Sequence, residues 1–312
     1  MPETGPERVP VCDIISHVLR KSLIFFFISV FASAQVSVSS LWEHKTLDRI
    51  QALDQSLDGV LGIAAIDLTS GHVLSYHGDS QFPTASSIKI PVMIQMFRDA
   101  QAGRFHFTDK RDLKWVGNSD DSEGPLRRKL QKGPVTLTIG EMVEAMMQWS
   151  DNSAANACID LAGMDRVNGL LRALGLRDTH LRRKMMDVAA AARGDENVAT
   201  PLELSRLLAL IEQGKAADPE SCRRMIALMK GVHNPFMRPG IPESVEIAAK
   251  PGDLDGVKCE SAIVFLKGRP FVLTVMSTYL GGKLNPVSRA AGIVYDYFSR
   301  IAGSNEWGRS LE

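Results

Sequence analysis

Ser86 and Lys89 stand one helical turn apart, so a hydroxyl and an amine share a helix face. Such an amine lowers the cost of removing the hydroxyl proton and turns a poor nucleophile into a usable one. Two downstream groups extend that chemistry. Ser150-Asp151-Asn152 brings a second hydroxyl, fit to relay a proton, beside a side-chain amide. Lys250-Pro251-Gly252 brings a second cation, suited to a substrate carboxylate, beside a glycine. Each residue also has a plain structural use: Ser86 and Ser150 can cap helices, and Lys89 and Lys250 can be solvated. A lone Ser-x-x-Lys says little, because both residues are common. All three groups in this order and at this spacing point to nucleophilic serine chemistry.

The surroundings of these groups add detail. Phe82-Pro83-Thr84-Ala85 precedes Ser86, Ile90-Pro91 follows Lys89, and Ser150-Asp151-Asn152 continues as Ser153-Ala154-Ala155-Asn156. On these residues the chain, from about Leu47 to its C-terminus, resembles the class A β-lactamases among the penicillin-recognising serine hydrolases. The resemblance implies roles. Ser86 is the nucleophile and Lys89 the activating amine. Ser150 passes a proton to the leaving nitrogen, and Asn152 holds Lys89 and the substrate amide. Lys250, with Gly252 beside it, receives the substrate carboxylate, and the backbone amides of Ser86 and Asp253 form the oxyanion hole.

Two departures stand out. Pro251 replaces a hydroxyl-bearing residue, which removes a hydrogen bond to the substrate carboxylate worth about 1–2 kcal/mol. Asp253 sets a carboxylate next to a bound anion. More consequential is the region after the Ser-Asp-Asn helix, where the family carries a deacylating glutamate in a Glu-x-x-x-Asn arrangement. Here it reads Arg182-Arg183-Lys184-Met185-Met186-Asp187. Counting back from Thr200-Pro201 puts Lys184 at the glutamate site, whereas counting forward from Ser150 points to Met186 and Asp187. Asp187 is the best substitute base and Glu196 the second, although Asp187 serves equally well as a loop cap.

The elements that must position these groups follow from periodicity. Apolar residues at helical spacing predict helices over 41–57, 86–102, 136–148, 152–162, 164–174, 200–213, 219–229 and 285–301. Strand-like runs cover 60–68, 73–76, 245–250, 261–266 and 271–278, with Gly252, Gly256 and Gly268 expected at turns. Residues 176–200 read as a long loop with one helical piece. The simplest fold is α+β: one five-stranded antiparallel sheet built from both chain ends, flanked by terminal helices, plus an all-helical lobe. Sheet-lobe residues are 40–80 and 240–312, and helical-lobe residues are 86–235.

Composition narrows the field. The 312 residues carry 36 basic and 36 acidic side chains, which gives no electrostatic reason for nucleic acid as a partner. Arg20-Lys21, the apolar run from Leu23 to Phe31 and Ala32-Ser33-Ala34 predict a secretory signal over 1–34 and a secreted or periplasmic protein with no stable membrane anchor after cleavage. Cys12 and His17 leave with it, and Cys158, Cys222 and Cys259 remain, an odd count allowing at most one internal disulfide. No Cys/His cluster has metal spacing, so neither metal nor cofactor is expected. A monomer acting on a small β-lactam or a peptidoglycan-like substrate is the leading expectation. A penicillin-binding, D-alanyl-D-alanine peptidase-like or esterase-like hydrolase is the alternative, and a non-catalytic binding module on the same fold is the third reading.

Overall fold

The computed structural model describes residues 1–2, 5, 37–116, 124–281 and 285–311. The apolar run and cleavage site of the expected signal, with Cys12 and His17, lie outside the described residues. From Ser37 onward the chain forms one unit. Helix α1, Val38–Gln55, starts on the side chain of Ser37, which accepts from the Ser40 amide. Strands β1, Val60–Asp67, and β2, Val73–Tyr76, follow as a hairpin.

The other three sheet strands come from the C-terminal part: β3, Ile247–Leu254; β4, Val257–Val264; and β5, Phe271–Thr278. Their order is β2-β1-β5-β4-β3, and every pairing is antiparallel. β1 therefore joins the two ends of the chain, as the pattern predicted. Alternation sends successive side chains to opposite faces. Leu61, Ile63 and Phe271 face one core with Ile50 and Leu53 of α1 and Val294 and Phe298 of α9, Pro286–Ala302. Ala64, Ile263 and Val272 face the other core, which holds the helical part.

That helical part begins at Ser86. A 3₁₀ turn, Ala85–Ile88, leads into α2, Lys89–Gln101. The predicted single helix from Ser86 is thus tightened in its first turn, a common adjustment at helix starts. Ala85 has φ +45°, a left-handed conformation that costs a non-glycine residue free energy directly before Ser86. α2 is buried on all sides by Ile90, Val92, Met93, Ile94, Met96 and Phe97, so it is a core helix. Thr136 and Leu137 pair in a short strand rather than a helix, which leaves Thr138 to open α3, Ile139–Gln148, with a capping box to Glu141. Asp151 caps α4, Asn152–Ala162, through the Ala154 amide. α5, Met164–Ala173, α6, Val188–Ala192, α7, Pro201–Glu212, and α8, Pro219–Lys230, complete the layer.

One sequence expectation is corrected here. Gly252 is not at a turn. It lies inside β3, opposite Cys259, and the hairpin turns at Gly256 instead, where φ is +71°. The glycine is needed for close approach: a Cβ at 252 would sit 2.7 Å from Cys259 Sγ and 2.8 Å from both the Ser86 amide nitrogen and the Thr84 carbonyl oxygen. β3 thus passes against the 3₁₀ turn that carries Ser86 with no room for a methyl group. Gly252→Ala is expected to lower stability by about 1–3 kcal/mol through overpacking. A melting temperature equal to wild type would show that β3 can retreat freely.

Candidate active site

The cleft lies where α2, the loop before α4, the 183–197 loop and β3 converge. Its volume is about 610 Å³, and Ser86, Ser150, Asn152, Lys250, Gly252 and Asp253 all line it. Ser86 is half-buried at the cleft floor, and among the described residues its Oγ has no hydrogen-bond partner.

Lys89 is fully buried on α2. Its Nζ donates to the Ser150 carbonyl at 2.7 Å, to Ser150 Oγ at 3.1 Å and to Asn152 Oδ1 at 2.9 Å. Ser150 presents both oxygens because its backbone is left-handed, φ +55°. Burial holds the Lys89 amine well below the ordinary lysine value, and the charge of Lys250 pushes it the same way, while Asp151 opposes them. These effects favour the neutral amine, which has two N–H donors and one lone pair and so keeps only two of the three donated hydrogen bonds.

Lys250 reaches the same hydroxyl from the sheet side. Its Nζ donates to Ser150 Oγ at 3.0 Å and to the Pro251 carbonyl at 2.8 Å. Burial lowers it to about 8, with Cys259 and Glu260 pulling upward. Ser150 Oγ thus accepts from Lys250 and, while Lys89 is protonated, from Lys89 as well; once Lys89 is neutral the Ser150 hydroxyl can donate to its lone pair instead. Asp253 does not confront the oxyanion position with a bare charge: its carboxylate is paired with Lys258 at 2.7 Å.

The structure does not bring Asp187 into this group. It is exposed, it caps α6 by accepting from the Ala190 amide at 2.9 Å, and it is not among the cleft-lining residues. Glu196 is bound to Arg183, with Oε1 2.7 Å from Nη2 and 3.0 Å from Nε, so it staples the loop to itself. Lys184 pairs with Asp160.

Arg183, Met185, Met186 and Asn197 of the loop line the cleft, and Met185 is the one whose backbone is tied to α4. Asn156, one turn beyond Asn152 on α4, clamps it from both sides: Nδ2 donates to the Met185 carbonyl at 3.0 Å, and Oδ1 accepts from the Met185 amide at 2.8 Å. Sequence counting missed this residue. The signal was Asn156 itself, whose i, i+4 spacing from Asn152 puts two amides on one helix face. Cys158, Cys222 and Cys259 are buried free thiols. Among the described residues, no group of three or more His, Cys, Asp or Glu side chains could hold a metal ion, and no helix is long and apolar enough to cross a membrane.

Comparison with known proteins agrees with this geometry. A family model described as the beta-lactamase enzyme family matches residues 45–298. The chain belongs to that family. Among its relatives is an imipenem-hydrolyzing beta-lactamase of Enterobacter cloacae, 25% identical over 259 residues, which covers 80% of this chain and 87% of that one. A solved beta-lactamase of Sphaerobacter thermophilus is 28% identical, with a TM-score of 0.70, covering 83% of this chain and 97% of its own. The fold also matches an ancestral class A beta-lactamase at a TM-score of 0.72 and 23% identity, over 81% of this chain and 100% of that one.

A pH profile tests the assignment of the two lysines in this β-lactamase-family site. Lys250 loses its charge as pH rises through about 8, so acylation by a carboxylate-bearing substrate should decline on the alkaline side near that value. Lys89, Cys259 and Glu260 share its field, and burial pushes the Glu260 carboxyl up to about 8 as well, so it titrates in the same range. Lys250→Arg cannot deprotonate in this range, so whatever acylation remains should lose its alkaline limb. An unchanged limb in that variant would reassign the titration to another group.

Proposed function

We propose that the protein is a secreted serine hydrolase that opens β-lactam rings through an acyl-enzyme on Ser86. The observation that carries this reading is the convergence of Lys89 and Lys250 on Ser150 Oγ at 3.1 and 3.0 Å beside Ser86. Secretion rests on the charged, apolar and small-residue segments of the N-terminal sequence.

The steps follow from the donors present. Neutral Lys89 takes the Ser86 proton, directly or through a water, and Oγ attacks the lactam carbonyl carbon. The oxyanion accepts from the Ser86 and Asp253 amides, the two backbone donors the family supplies at these positions. The ring C–N bond breaks as Ser150 gives its proton to the nitrogen and recovers one from a neighbouring lysine. Lys250 attracts the substrate carboxylate without help from a hydroxyl at 251, so charge carries more of that contact than in relatives with Thr or Ser there.

Hydrolysis of the resulting ester needs a base on the attacking water. The loop wall offers Arg183, Met185, Met186 and Asn197 to the cleft, and Met185 holds the clamped, cleft-facing position. A thioether cannot take a proton from water, so an acyl-enzyme there would turn over slowly. This favours the second reading, a penicillin-binding or D-alanyl-D-alanine peptidase-like enzyme that acylates quickly and releases slowly.

Ser86→Ala is expected to abolish covalent labelling by a fluorescent penicillin while the fold persists by circular dichroism. Undiminished labelling would remove Ser86 as nucleophile. Intact-protein mass spectrometry separates the two readings of turnover. A persistent wild-type adduct supports the peptidase-like enzyme, and rapid loss supports a β-lactamase that activates its water without a loop carboxylate. In either case Met185→Glu, held by the same Asn156 clamp, should shorten adduct lifetime at least about tenfold, as general bases do, and Asp187→Asn should leave it unchanged. The opposite pattern would return the base to Asp187.

A further inference from the structure

Beneath the nucleophile lies a buried thiol that the chemistry above leaves unused. Cys259 of β4 has no exposed surface and faces Gly252 across the ladder. Its Sγ donates to the Thr84 carbonyl at 2.9 Å, and it lies 3.4 Å from Ser87 Oγ and 3.6 Å from the Gly252 carbonyl oxygen. Ser87, also fully buried, donates its hydroxyl to the Lys250 carbonyl at 3.2 Å. Burial pushes the thiol up to about 11, so it stays protonated at working pH.

The oxyanion amides sit on two elements that are not paired strands, the 3₁₀ turn for Ser86 and β3 for Asp253. What lies between them fixes their separation. On one side is the Gly252 backbone, too close to Ser86 for a Cβ; beneath both is the Cys259 sulfur. Oxyanion donors act over a narrow distance range, about 2.7–3.1 Å, so a shift of a few tenths of an ångström matters.

We propose that Cys259 is a positioning residue for acyl transfer, its sulfur wedged between Thr84, Ser87 and Gly252 so as to set the spacing of the Ser86 and Asp253 amides. This inference rests on Ser86 as the acylated residue. It differs from ordinary core packing, in which Cys259 would merely fill space beside Phe82, Ala85, Val257 and Met276.

The test uses the full chain with Cys259→Ala and Cys259→Ser and two readouts. Amide hydrogen exchange needs no substrate. In Cys259→Ala, peptides spanning Ser86 and Gly252–Asp253 should exchange faster, and peptides from α9 should not. Acylation by a fluorescent penicillin, resolved into reversible binding and a first-order step, should lose about tenfold in the first-order step, a fraction of what removing a whole oxyanion donor costs. Reversible binding should stay within about twofold, because only the transition state uses the oxyanion donors. Cys259→Ser, which keeps a donor, should recover part of the loss. Unchanged exchange, or an equal loss of protection across the whole sheet, overturns the proposal. If Cys259→Ala fails to fold, Ser87→Ala removes the strut from the other side and must show the same split, and a wild-type acylation rate there overturns it too. A wild type that takes no label defeats the proposed function, while the exchange pattern still decides the strut.

Discussion

Everything in this cleft depends on two buried lysines meeting at one hydroxyl. Two ammonium groups about 3 Å from the same oxygen, Ser150 Oγ, cannot both hold full charge cheaply in a region closed to water. Burial penalises both. Lys89 also feels the charge of Lys250, whereas Lys250 has Glu260 behind its strand pulling it upward. In the proposed mechanism this asymmetry is what separates the roles, with the amine on the helix as base and the amine on the strand as cation. Neither role can be read from a lysine in isolation, because each is set by the other.

The rest of the fold holds that meeting point in place. α2 can carry Lys89 into the interior only because its other faces are apolar and packed. β3 can bring Lys250 to the same spot only because Gly252 lets the strand press against the nucleophile turn. The strained Ala85 and Ser150 backbones fall at the junctions where helix meets sheet and where Ser150 must show two oxygens to one amine. Local strain at such points is held by surrounding packing, here a core continuous from α2 through α3 and α4 to the sheet.

How much of this was legible depends on the length scale of each signal. The sheet came through because alternation and turn residues are local, and β1 pairs with β5 for hydrophobic reasons visible at both chain ends. The short motifs around Ser86, Ser150 and Lys250 could be read one by one, and the structure brings Ser86, Ser150, Asn152 and Lys250 to one cleft with Lys89 bonded to Ser150 and Asn152. Gly252 was misplaced at a turn because a glycine that opens a turn and a glycine that admits another backbone look identical in one dimension. Asp187 was proposed as a base because counting along an irregular loop has no fixed rise per residue. The Asn156 clamp, a three-dimensional contact across 29 residues, fixes which loop residue is tied to α4 beside the cleft. Sequence reasoning also treated Asp253 as an anomaly, since Lys258 becomes its partner only once β3 and β4 pair.

Met185 gives the loop a physical meaning that follows from the same lysine pair. In the proposed mechanism, acylation would use only groups that the helix, the sheet and Ser150 supply, whereas deacylation would need a proton acceptor from a third direction, where the Asn156 clamp holds Met185. The two half-reactions therefore draw on separable parts of the molecule. A single side chain on the loop can govern the lifetime of the ester while the rate of its formation stays with the lysines, Ser150 and the spacing of the oxyanion amides.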